Sequence, residues 1–94
     1  MSHFLYILYS KSKSKYYVGQ THDVEERILK HNQHLYSNAY TKIASDWALK
    51  VAIEIENKND AVYLENFIKR MKSKKFIEKI IFDTSIARDI LSKR

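Results

Sequence analysis

Hydrophobic and polar positions alternate along this chain in a way that marks out seven elements. "FLYILYS", residues 4–10, is a run of aromatic, aliphatic and β-branched residues, and it predicts a strand. The polar stretch "KSKSK", residues 11–15, breaks it, and "YYVGQ", residues 16–20, resumes the strand pattern. Two short apolar runs around a polar break predict a β-hairpin. Its turn carries no glycine or asparagine, so the turn type stays open. "THDVEERILKHN", residues 21–32, opens with helix-capping residues. Asp23 followed by Glu26 fits a capping box, with Thr21 as the alternative cap, and Val24, Ile28 and His31 fall on one helical face. Residues 33–46 show no period and predict a loop. "WALKVAIEIE", residues 47–56, alternates strictly and predicts a half-exposed strand. Trp47, Leu49, Val51, Ile53 and Ile55 would face one way, Lys50, Glu54 and Glu56 the other.

Beyond the polar "NKND", where Asn59 or Asp60 can cap, three helical stripes follow. Ala61, Leu64, Ile68 and Met71 form the first; Phe76, Ile77, Ile80 and Ile81 the second; Ile86, Ile90 and Leu91 the third, in residues 84–94. The predicted order is β-β-α-β-α-α-α. It implies an α+β fold in which a three-stranded antiparallel sheet is flanked by helices.

Ninety-four residues suit one domain, 1–94, with a modest core. The chain has no cysteine, which excludes disulfides and thiolate metal sites. No apolar run is long enough to span a membrane. The short apolar stretch at the N-terminus precedes its lysines, the reverse of a secretory signal, so a cytoplasmic protein is expected. The net charge of +6 changes the picture most, because it points to a polyanionic partner, most simply nucleic acid. Ordinary solubility is the competing explanation.

The single glycine, Gly19, lies at the end of a strand-forming stretch, where glycine weakens packing. Strand alternation puts it on one face with Tyr17, as Tyr6 shares a face with Phe4 and Leu8. A missing side chain lets a backbone or a ligand approach closely. The helix that follows carries Arg27 and His31 one turn apart, two polar groups able to face a phosphodiester. Each feature also has a plain structural reading: a strand end, core aromatics, Arg27 paired with Asp23, Glu65 paired with Lys69.

Taken together, these residues resemble the GIY-YIG nucleases. "FLY", residues 4–6, stands at the first tyrosine motif and "YVG", residues 17–19, at the second. "QTHDVEERILKHN" is similar to the family's first helix, placing its arginine at Arg27 and its histidine at His31. Residues 60–81 resemble the segment that holds the metal-binding glutamate, here Glu65. The resemblance spans about residues 4–81 and fits the small stand-alone branch, leaving the last helix, 84–93, outside. Phe4 and Leu5 depart from the first motif, and the family's late polar residue has no clear counterpart.

The resemblance implies a metal-dependent endonuclease acting on nucleic acid, taken as DNA. Mg²⁺, or Mn²⁺ in its place, would sit on Glu65. Arg27 would clamp the scissile phosphate, Tyr6 and Tyr17 would orient or deprotonate water, with Tyr6 favoured as base, and His31 would relay a proton. Lys15, Lys69 and Lys72, in the basic runs 11–15 and 69–75, are candidates for phosphate contacts. No element reads base edges, so recognition of structure rather than sequence is expected. A non-catalytic nucleic-acid-binding module that keeps the fold is the alternative.

Overall fold

The computed structural model describes residues 2–33 and 43–94. The central part of the expected 33–46 loop, residues 34–42, lies outside the described residues. The elements are β1 (His3–Ser10), β2 (Lys15–Thr21), α1 (Val24–Asn32), β3 (Trp47–Ile55), α2 (Lys58–Met71), α3 (Lys74–Phe82) and α4 (Ser85–Ser92). The sheet is antiparallel throughout, in the order β2-β1-β3, so β2 and β3 are both edge strands.

β1 carries the pattern of a strand buried on both faces. Leu5 and Ile7 join Val18, Ile53 and Ile55 under Leu64 and Ile68 of α2, Ile80 of α3 and Ala87 of α4. Tyr6 and Leu8 join Trp47 and Ala44 on the opposite face, where Val24 and Ile28 of α1 pack. The domain is thus a three-layer stack with α1 on one side of the sheet and the other helices on the other.

The strict alternation expected for β3 is broken. Ile7 pairs with Val51 but Leu8 pairs with Leu49, so Lys50 is an extra, bulged residue. A one-residue slip reverses the faces beyond it. Trp47 therefore packs on the α1 side, while Ile53 and Ile55 stay on the α2 side, and Leu49 is exposed.

Helix starts follow side-chain chemistry. Asp23 Oδ1 accepts from the Glu26 N–H at 3.1 Å, as the capping box predicts, while Thr21 Oγ1 accepts from the Asp23 N–H. Glu26 does not close the box; its carboxylate pairs with Lys30 at 2.7 Å. α2 begins before the predicted cap. Asn57, not Asn59 or Asp60, caps it, accepting from the Asp60 N–H at 2.8 Å. Met71, at the end of the first stripe, is exposed.

Candidate functional site

Gly19 lies directly across from Tyr6 in the β1–β2 ladder. A Cβ at position 19 would come within 2.5 Å of the Tyr6 hydroxyl and 2.6 Å of its ring carbon Cζ. The backbone here is not left-handed. The glycine is needed for room, and the group that fills the room is the Tyr6 phenol.

That phenol is wholly buried and is hydrogen-bonded to Nε2 of His31 at 3.0 Å. His31 projects from the last turn of α1 and is 2% exposed. Burial, reinforced by the positive charge of Arg27 one turn earlier, pushes its pKa down to about 4. At neutral pH the imidazole is therefore uncharged, with one ring nitrogen a donor and the other an acceptor. Tyr17 packs edge-on against His31, with centroids 4.8 Å apart, and lies 6.3 Å from the Tyr6 ring. Unlike Tyr6, Tyr17 is half-buried and retains access to solvent. Arg27 is also partly exposed.

Glu65 reaches this group from the far side of the sheet. Its side chain is 16% exposed and pairs with Lys69 at 2.7 Å. The Lys69 ammonium in turn stands 5.3 Å from the centre of the Tyr17 ring. The two meet because β2 is an edge strand: Tyr17 packs with the α1-side cluster, and Lys69 comes past the open edge from α2. Tyr17 is thus the residue on which His31 of α1 and, through Lys69, Glu65 of α2 converge, while Arg27 acts on His31 through its charge. The pairing of Glu65 with Lys69 is also what its plain structural reading requires.

A cavity adjoins Tyr17 and is lined by Lys15, Lys69 and Lys72 but not by Tyr6, Arg27, His31 or Glu65. Among the described residues no group of three or more His, Cys, Asp or Glu side chains is placed to hold a metal. Any divalent ion would have to lean on one carboxylate, Glu65, with water and substrate oxygens. Mg²⁺ tolerates that arrangement because it keeps several waters.

One structural support has no simple sequence signal. Asn32, the last residue of α1, clasps the first residue of β3: its Nδ2 donates to the Trp47 carbonyl at 2.9 Å and its Oδ1 accepts from the Trp47 N–H at 2.8 Å. The side-chain amide imitates a strand pair. It fixes the end of the helix that carries Arg27 and His31 beside Trp47, whose ring is 6.4 Å from that of Tyr17.

Among the described residues no helix is long and apolar enough to cross a membrane. No curated protein matches the sequence. The solution NMR structure of the UPF0213 protein BH0048 from Bacillus halodurans is similar, at 30% identity over 86% of this chain and 83% of that one, with a TM-score of 0.53. The sequence model of the GIY-YIG catalytic domain matches residues 2–79, a span that contains both tyrosine motifs, Arg27, His31 and Glu65. A match over that much of the chain places this protein in the GIY-YIG nuclease family.

Proposed function

We propose that this protein is a metal-dependent endonuclease of the cytoplasm that hydrolyses phosphodiester bonds, those of DNA in particular, recognising structure rather than sequence. The observation that carries this reading is the convergence on Tyr17 of His31 from α1 and, through Lys69, of the carboxylate from α2.

The residues divide the work by exposure. The planar guanidinium fork of Arg27 suits two oxygens of the scissile phosphate. Tyr17 is the accessible phenol and is the one that meets the attacking water. Tyr6 is fully inside, so its role is to hold His31 through the 3.0 Å hydrogen bond, rather than to act as the base. His31, uncharged near neutrality, lies between the two phenols and holds Tyr17 in place through their edge-on ring contact. Glu65 would hold Mg²⁺ or Mn²⁺, which when bound supplies a Lewis acid for the developing charge.

The test is nicking of supercoiled plasmid with Mg²⁺, Mn²⁺ or EDTA, with Arg27→Ala and Glu65→Ala prepared identically. Nicking that needs metal and falls about 10²–10³-fold in each variant is expected, by analogy with removal of other electrostatic stabilisers. Activity that survives in Glu65→Ala would belong to a contaminant and would remove this reading. The Glu65–Lys69 pair favours the second reading, a binding module without chemistry. That reading requires salt-sensitive DNA binding with no metal-dependent nicking.

A further inference from the structure

We infer that the groove beside Tyr17 seats one unpaired strand of DNA and leads it to the site; the inference rests on the nuclease reading above. The groove measures about 770 Å³ and lies between the start of β2, the end of α2 and the start of α3. The two basic runs of the sequence meet there. Lys15 comes from the first run, and Lys69, Lys72 and Lys74 come from the second. A hydrogen bond from Lys74 Nζ to the Ser14 carbonyl, 3.4 Å, joins the two.

Among the described residues no aspartate or glutamate lines the groove, although the Glu78 carboxylate accepts a hydrogen bond from the Tyr16 hydroxyl at 3.0 Å. Among the described residues, Lys69 alone of the groove's lysines has a carboxylate partner, Glu65. Lys15, Lys72 and Lys74 make no ion pair among the described residues. Three ammonium groups outside any ion pair, around one concavity, raise its potential and favour a polyanion.

The wall of the groove separates a single strand from a duplex. Tyr16 and Tyr17, both half-buried, line it, and each has a lysine over its ring, Lys74 5.9 Å from Tyr16 and Lys69 5.3 Å from Tyr17, so that phosphates drawing the lysines aside would leave the faces to bases. Aromatic faces for bases next to cations for phosphates are what single-strand binding uses. A duplex hides its base faces and could use only the cations.

The backbone adds an independent sign. Among the described residues, the non-glycine positions with positive φ are Ser14, at 52°, and Lys72, at 50°, and both line this groove. Lys72 caps the C-terminus of α2, a position that favours glycine. Strain of this kind collects at functional sites. Here a lysine in the strained position keeps a cation on the rim.

The experiment is fluorescence anisotropy of a labelled single-stranded oligonucleotide, in EDTA, over a range of salt. Lys15→Gln/Lys72→Gln/Lys74→Gln is compared with the equal-charge control Lys58→Gln/Lys79→Gln/Lys93→Gln. Loss of three phosphate contacts should lower the log–log salt slope by about 2, removing about a 20-fold change in affinity between ~50 and ~200 mM salt. The control should retain the wild-type slope. Lys72→Gly should raise the thermal midpoint while weakening strand binding. Equal losses in both triple variants, wild-type binding in Lys72→Gly, duplex bound as tightly as single strand, or no strand binding at all would each overturn the groove. Because binding is read without metal, a chain that binds through the groove but never nicks plasmid overturns the nuclease reading alone. A chain that nicks normally while the groove variants bind like wild type overturns the groove alone.

Discussion

His31 makes the stability of this domain sensitive to mild acid. The imidazole is enclosed by Tyr6 and Tyr17 and sits one turn from the Arg27 guanidinium, so the folded state disfavours its charged form. Its pKa falls from 6.5 to about 4 on folding. Between those values the unfolded chain binds the proton and the folded chain does not, so stability rises with pH and is lost as pH falls. The contribution is complete above pH 6.5. Relative to pH 7 it declines by about 1 kcal/mol at pH 5.5 and by about 2.5 kcal/mol at pH 4.5. That is a large fraction of the 5–15 kcal/mol about which small domains are stable. Urea unfolding followed by Trp47 fluorescence would show it as a fall of roughly 1–2 M in midpoint between pH 7 and pH 4.5. His31→Gln removes the titration. It should begin lower at pH 7, by about 1–3 kcal/mol for the disturbed bond to Tyr6, and then stay level over that interval. Asp46, held down to about 2 by Ser10 and Ser12, loses its contribution only as pH falls below 3.8, outside the window. Wild type and His31→Gln declining in parallel from pH 6.5 to 4.5 would refute the reasoning.

Four further substitutions test the construction of the site. Gly19→Ala drives a methyl group into the Tyr6 ring, and overpacking of this kind should cost about 1–3 kcal/mol, seen as a thermal midpoint lowered by about 4–8 °C per kcal/mol. Tyr6→Phe should not rescue it, because Cζ stays 2.6 Å from the added carbon. Asn32→Asp sets a carboxylate against the Trp47 carbonyl in place of a donor, and should destabilise by about 1–3 kcal/mol with a shift in Trp47 emission. Arg27→Lys keeps the charge but loses the fork; plasmid nicking should stay well below wild type although the thermal midpoint hardly moves.

The order and type of every element were legible because each depends on local pattern: β-branched and aromatic runs for strands, apolar stripes and caps for helices. What the pattern could not carry was anything set by two distant segments. β3 reads as an unbroken alternation, and only pairing with β1 reveals that Lys50 is bulged out. The consequence reaches the site. Without the bulge Trp47 would share a face with Ile53 and Ile55; with it, Trp47 crosses to the α1 side, where it meets Tyr17 and is clasped by Asn32. The same limit applies to the candidate residues. Gly19, Tyr6, Tyr17, Arg27 and His31 could be singled out from their positions, but exposure divides them: Tyr6 is sealed against Gly19 while Tyr17 remains open at the sheet edge. Lys69, one lysine in a basic run, looked like a generic phosphate contact. Its placement between the Glu65 carboxylate and the Tyr17 ring comes from the packing of α2 past the open edge of β2. The residues of this site were thus identifiable from local chemistry, whereas their division of labour follows from which side of one thin sheet each element occupies.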